Sequence, residues 1–511
     1  MNEQIYNRVK DYCFSFIALI IFPISLFAPI GTWAPVVLSA IIILLGIKFF
    51  WTDIKENEHF KILIVFLTYL LLSTLFFNTQ DMHFEKLIHF TILVFSGFIL
   101  ISTINKSQNL KIIVLLFSIS LIICALFIIV DLKFRLGIKF WLSSNLDSNN
   151  FHNFYTIKKW IGLQDFKNNY FDLKSKIYFK NHIDNMYDRG MAVLAVLSFP
   201  LAALCFKYNY NFLSGIILLV SFITATFFYN LTIFISYIFT FLILIIFFLT
   251  KKTFTNVILI LLGIYCLVFP FLAGSSDYKK FAFYQKDINE KLQLLEKKYT
   301  KVETRKCSNF EKSERGIDAK LSVYQDKTNG CFLYNGISLY GFINSEKNFS
   351  KFVDMIILKK LLFEDKFLHR SMIWSYTKEK ILERPLVGHG FFSSRFIGED
   401  YKINDIKNDK ISAIPLHPHN FIMQVWLELG LLGVIVLYFF IYNLIKRLKP
   451  FTEKQFYLSA FPVVSFIQVF FIGQLSYGFW QSWWIAIIII NFMLYSILFA
   501  DEVEVRKPLL K

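Results

Sequence analysis

Long apolar runs, broken by brief polar stretches, recur along most of the chain. Read in windows of about 19 residues, they fall near 13–31, 34–51, 60–78, 87–104, 110–131, 190–206, 211–228, 231–250, 254–274, 419–445, 456–475 and 480–500. Roughly 20 residues at about 1.5 Å rise cross a hydrocarbon core about 30 Å thick. The pattern therefore predicts an all-α integral membrane protein with about twelve transmembrane helices. Only Tyr229-Asn230 divides 211–228 from 231–250, and counting that pair as one helix would invert everything downstream.

Two polar stretches set the organisation. Residues 1–131 carry helices one to five, 132–189 form a loop, and 190–274 carry helices six to nine. Residues 275–418 form a large loop, and 419–511 carry helices ten to twelve and a tail. Within the large loop, Phe281–Tyr299 is rich in Lys, Glu and Gln with leucines interspersed, which predicts a surface helix.

Composition excludes a water-soluble fold, since 56% of residues are AVILMFWYC and lipid must solvate much of that surface. The net charge of +17 changes the picture through its placement. One set of short loops carries Arg8 and Lys10, Lys55, Lys106 and Lys111, Lys207, Lys251 and Lys252, then Lys446, Arg447, Lys449 and Lys454. The alternating short loops offer only Lys86. Positive residues stay inside, so both termini are expected in the cytoplasm and the loops 132–189 and 275–418 on the outer face, the periplasm of a Gram-negative cell. Topology thus explains the charge, and no nucleic-acid partner is implied. Phe14–Phe27 lacks a small-residue cleavage site and another span follows at once, so it reads as a retained first helix. Cys307 and Cys331 alone lie in the large outer loop, where a disulfide closing about 25 residues is the natural outcome in an oxidising compartment and two unpaired thiols the alternative.

Candidate chemistry gathers on the outer side. His369-Arg370-Ser371-Met372-Ile373-Trp374 opens a predicted helix with Arg370, Trp374, Thr377 and Ile381 on one stripe. Pro385 stops it, and Gly388 and Gly390, around His389, allow a tight turn. An arginine there can bind phosphate oxygens in bidentate fashion or simply sit on an amphipathic face. Span ten opens with His417-Pro418-His419-Asn420, after which Asn420, Gln424 and Glu428 recur every four residues. A carboxylate inside a span points into protein or a wet cavity, and histidines at the membrane surface titrate near neutrality, as a general base requires. These groups can equally cap a helix and pair with a buried donor. His417 and His419 also raise zinc, but no Cys or acidic partner completes a set, so no metal is expected. Asp188-Arg189-Gly190 stands just before span six, where the arginine head can reach the interface. Trp480, Trp483 and Trp484 read as an interfacial aromatic belt.

In this order and on this side of the membrane, the segments resemble the O-antigen ligase and polymerase superfamily of bacterial membrane glycan enzymes, in particular its O-antigen ligase type. Arg370 to Trp374 followed by Pro385-Leu386-Val387-Gly388-His389-Gly390 is similar to the family's Arg-to-tryptophan and Pro-x-x-Gly-x-Gly pattern. His417-Pro418-His419-Asn420, with Glu428, Gly430 and Gly433 following, resembles its His-Asn signature, and Asp188-Arg189-Gly190 its arginine-bearing mid-chain helix. The chain departs from the pattern at Leu231-Thr232-Ile233-Phe234, where many relatives carry another arginine, and 276–366 carries no family pattern.

The resemblance implies a GT-C-like polytopic enzyme of the inner membrane with a large periplasmic loop between helices nine and ten. Its donor would be a glycan on undecaprenyl diphosphate, its acceptor a sugar hydroxyl of lipid A–core, with membrane lipid around it and neither cofactor nor metal. Arg370 and Arg189 would neutralise the diphosphate, and His419 would take the acceptor proton, with His417 as second candidate, inverting the anomeric carbon. Asn420, Glu428, Trp374 and His389 would line the substrate site. An O-antigen polymerase or a protein O-oligosaccharyltransferase would use the same donor. A polysaccharide or lipid transporter would show inverted repeats and midplane charges, which the chain lacks.

Overall fold

A computed structural model describes residues 2–51, 58–77, 81–133, 187–227, 231–250, 254–273, 370–399, 402–404, 410–454 and 456–498. The predicted helix 281–299, Cys307 and Cys331, the Tyr229-Asn230 hinge and most of both outer loops lie outside the described residues.

The described chain is helical apart from one small hairpin. The helices are α1 (Glu3–Phe27), α2 (Trp33–Leu44), α3 (Glu58–Phe77), α4 (Asp81–Ile104), α5 (Leu110–Lys133), α6 (Asp188–Lys207), α7 (Asn211–Phe227), α8 (Leu231–Thr250) and α9 (Phe254–Leu272). Then follow α10 (370–383), the short α11 (Ser394–Glu399), and strands β1 (Lys402–Asn404) and β2 (Lys410–Ser412), paired antiparallel. The chain continues as α12 (Phe421–Lys454), α13 (Phe456–Leu475) and α14 (Ser482–Leu498).

Each apolar window of the sequence holds one of these helices. Among the described residues, five segments are long and apolar enough to cross a membrane: Glu3–Phe27, His83–Ile104, Leu110–Asp131, Asp188–Lys207 and Phe421–Tyr442. Seven shorter apolar helices accompany them among the described residues. The chain is a membrane protein built on apolar helices. α1 starts at Glu3 rather than near 13, because its polar residues find partners within the bundle. Lys10 donates to the Lys106 carbonyl at 2.7 Å, and Asp11 accepts from Ser107 at 2.6 Å and Asn109 at 2.7 Å. α7 and α8 are separate helices packed side by side, with Phe222 against Phe234, Tyr237 and Phe241.

α6 runs through the centre, with every residue from Gly190 to Cys205 buried. Small residues let its neighbours approach closely, the main source of packing energy where lipid is as apolar as leucine. A Cβ on Gly190 would lie 2.5 Å from Leu26 Cδ2 and 3.1 Å from the Ser25 carbonyl oxygen. The two ends of the bundle differ in chemistry. At one end Lys10 meets the α4–α5 turn, and Lys207 donates to the Ile497 and Leu498 carbonyls at 3.0 Å, satisfying the end of α14. The opposite end gathers the start of α6, α10, the 412–420 segment and the α13–α14 turn. The candidate chemistry sits there.

Candidate functional site

The site rests on a broken helix. Within α12, Gly430 has φ 64° and ψ −164°, so the helix opens and leaves backbone groups without intrahelical partners. At membrane depth such groups must be satisfied by protein. The Pro385–Gly390 segment does this: His389 and Gly390 N–H donate to the Leu427 and Glu428 carbonyls at 2.9 and 2.8 Å. In return, Leu431 and Leu432 N–H donate to the Pro385 and Leu386 carbonyls at 2.8 and 3.2 Å, and Tyr69 covers the Leu429 carbonyl at 2.6 Å. The two segments of this clasp come closest beside a glycine of each, which faces a peptide group of the other. A Cβ on Gly388 would lie 2.4 Å from the Glu428 carbonyl carbon, and one on Gly430 equally close to that of Leu386. Gly388, predicted to permit a turn, and Gly430 thus permit backbone-to-backbone contact.

Glu428 locks the clasp. Its fully buried carboxylate accepts from the Phe392 N–H at 2.7 Å, from Gln424 at 3.0 Å and from the Trp480 indole. Gln424 in turn accepts from the Phe479 N–H at 2.8 Å. One carboxylate therefore joins α12, the segment after the clasp and the α13–α14 turn. With those donors in place, both Glu428 carboxylate oxygens have partners within the fold. His389 is tied by Nε2 to the Lys380 carbonyl at 2.7 Å, closing the end of α10, and burial lowers its pKa. The Trp374 indole donates to the Pro418 carbonyl at 2.9 Å and packs edge-on against Phe269, pinning α10 to the segment that carries the histidines. Both act as struts. The three C-terminal tryptophans, read as an interfacial belt, are buried: Trp480 donates to Glu428, and Trp483 to Gln481 at 2.9 Å. The indole N–H groups of Trp480 and Trp483 are thus used inside the fold.

Above this base lie the two histidines. Asn420 caps α12 by accepting the Met423 N–H at 3.0 Å. His419 just before it sits at φ 53°, a left-handed conformation held from several sides. Its N–H donates to His417 Nδ1 at 3.1 Å, and its own Nδ1 lies 3.2 Å from the Ser476 carbonyl. A carbonyl only accepts, so the neutral His419 ring carries its proton on Nδ1 and its basic lone pair on Nε2. His417 is more deeply set. Burial, with His419 alongside, pushes its pKa down to about 3, which keeps it neutral, and its Nε2 faces the Gln481 amide at 3.1 Å.

The cations approach the same turn. Arg189 lies with its guanidinium carbon 5.6 Å from the centre of the Trp483 ring. Tyr477 packs edge-on against Trp483 at 4.7 Å and donates to the Asp188 carbonyl at 3.1 Å. Burial raises the Tyr477 pKa well above the ordinary phenol value, Asp188 adds to that, and Arg189 and Arg370 both oppose it. Burial lowers the pKa of Arg370, with Tyr477 opposing. Two guanidinium groups from α6 and α10 thus act on one phenol. Its neighbour Ser476 holds the imidazole from the 412–420 segment.

Of the residues singled out in the sequence, Arg189, Arg370, His417 and His419 gather around the α13–α14 turn, while Trp374, His389, Asn420 and Glu428 support it. Ser476, Tyr477, Gly478 and Gln481 were missed. Their only sequence signal is an outer turn, Ser476-Tyr477-Gly478-Phe479-Trp480-Gln481, unusually dense in hydrogen-bonding aromatics. A Cβ on Gly478 would lie 2.8 Å from the His417 ring, so the turn must be bare there.

No family model matches the chain. It is similar to a Rickettsia bellii protein that carries the provisional name polysaccharide ligase, 33% identical over 183 residues, 34% of this chain and 44% of that one. Likewise named proteins of Rickettsia conorii and Rickettsia prowazekii are each 37% identical, over 129 and 128 residues, 25% of this chain and 31% of theirs. The alignments therefore span less than half the length of these curated relatives. The chain is thus similar over part of its length to proteins bearing a provisional polysaccharide ligase name, a likeness that supports an O-antigen ligase-like family.

Proposed function

We propose that the chain is an O-antigen ligase-type glycosyltransferase that moves a glycan from undecaprenyl diphosphate to a sugar hydroxyl of lipid A–core. The five long and seven shorter apolar helices are its twelve spans. The placement of Lys10, Lys106 and Lys207 at the end away from the histidines supports cytoplasmic termini and a periplasmic site in the inner membrane.

We rest this on one convergence: Arg189 and Arg370, from two elements, both act electrostatically on Tyr477, and His419, from a third, lies against the carbonyl of its neighbour Ser476. The acceptor hydroxyl attacks the anomeric carbon opposite the diphosphate and gives its proton to His419 Nε2. The new C–O bond forms as the glycosyl–phosphate bond breaks, its electron pair leaving with undecaprenyl diphosphate, and the configuration inverts. Arg189 and Arg370 neutralise the charge that develops on the leaving group, as a metal ion does in other enzymes. The Ser476 carbonyl steadies the imidazolium through Nδ1–H.

The test is transfer by purified protein from a glycan–undecaprenyl diphosphate donor, offered lipid A–core, repeat-unit or peptide acceptors. Lipid A–core is expected to be glycosylated, and His419→Ala to lower the rate at least about 100-fold, as loss of a general base does. Transfer by His419→Ala at the wild-type rate removes histidine from the mechanism. Exclusive use of the repeat unit or peptide replaces the ligase with a polymerase or protein transferase.

A further inference from the structure

The mechanism uses the arginines and His419 but leaves unexplained why a buried phenol stands beside Arg189 and next in sequence to the Ser476 that holds His419. Tyr477 is 9% exposed, and its hydroxyl is spent on a main-chain carbonyl, that of Asp188 at 3.1 Å. That carbonyl belongs to the residue immediately before Arg189, at the first turn of the central helix. The Tyr477 ring meets Trp483 edge-on at 4.7 Å and Trp484 at 5.3 Å, and the Arg189 guanidinium lies over the same Trp483. One side chain therefore fixes both the backbone that carries Arg189 and the indole beneath its head. The preceding residue holds His419 by its carbonyl. Cation and base are thereby registered through two consecutive residues of one turn.

From this geometry we propose that Tyr477 is the positioning residue of the diphosphate site, setting Arg189 against Arg370 and keeping both in register with His419. This deepens the glycosyl-transfer proposal and rests on it. An arginine clamp gains its strength from pre-set geometry, and a shift of about 1 Å costs roughly 100-fold in rate. A neutral hydroxyl is suited to the task. It donates to the Asp188 carbonyl without cancelling the charge needed for phosphate. The opposing effects of burial and of the two arginines on the phenol accord with this arrangement.

Tyr477→Phe keeps the ring and its tryptophan contacts and removes only the hydroxyl. The experiment measures binding of undecaprenyl diphosphate to the full-length protein in detergent, and glycan transfer beside it. Tyr477→Phe is expected to weaken binding about tenfold, the scale of one buried hydrogen bond to a shared partner. The loss is expected to persist in a His419→Ala background and to shrink below about twofold in an Arg189→Ala background, since the hydroxyl acts through that arginine. Undiminished binding by Tyr477→Phe, or an equal loss with Arg189 absent, overturns the proposal. A wild-type protein that binds undecaprenyl diphosphate but transfers to no acceptor defeats the glycosyl-transfer reading, while the Tyr477–Arg189 coupling still decides this one. A wild-type protein that does not bind undecaprenyl diphosphate overturns both.

Discussion

Replacing Gly430 with alanine tests whether the clasp holds the candidate site together. Gly430 combines φ 64° with ψ −164°, a region open essentially to glycine alone. An L-residue there costs about 1–3 kcal/mol in backbone strain. The added Cβ would also sit 2.4 Å from the Leu386 carbonyl carbon and 2.5 Å from the Val387 nitrogen, which are backbone atoms with no rotamer to yield. The strands must part, and the His389, Gly390, Leu431 and Leu432 hydrogen bonds lengthen together. At about 0.5–1.5 kcal/mol each, their loss with the strain brings the total to roughly 3 kcal/mol or more. That corresponds to an opening population on the order of 100-fold larger. Amide hydrogen exchange reads it directly, because protection of these four N–H groups reports the local opening free energy. Gly215→Ala is the control: it lies in α7 with nothing within 4 Å of its added Cβ. We expect the four amides to lose about 100-fold protection in Gly430→Ala and none in Gly215→Ala. Equal protection in the two variants would refute the clasp.

Two further outcomes follow from the electrostatics. His417 has a folded pKa of about 3 against an ordinary 6.5, so below pH 6.5 the unfolded chain takes up a proton that the fold refuses. The stabilising effect of neutral His417 is thus complete above 6.5 and falls as pH drops toward 3, by about 2 kcal/mol between pH 7 and 5. Denaturation of wild type and His417→Gln should show their stability difference shifting by about that amount, and a pH-independent difference would contradict it. Because two guanidinium groups are assigned the work of a cation, glycan transfer should persist at its full rate after exhaustive chelation. Loss of transfer restored by a divalent ion would remove that assignment.

Sequence alone determined the membrane character and the order of the helices. Runs such as Leu110–Asp131 leave no other solvent for their side chains, and a helix satisfies its own backbone in lipid. It also singled out Arg189, Arg370, His417 and His419 as candidates, because cationic and titratable groups beside apolar spans are costly enough to stand out. How the marked residues are partnered was decided by tertiary structure. Trp374, His389 and Glu428 carry the same sequence signal as the others, yet each spends its polar atoms on a distant partner: Pro418, Lys380 and Trp480. Tyr477 was invisible because an aromatic at a span end is ordinary until its hydroxyl is seen to reach Asp188, 289 residues away. The break at Gly430 was equally hidden, since its cost is met by backbone groups of 385–390, and backbone hydrogen bonds leave no mark in side-chain identity beyond the glycines that let them form.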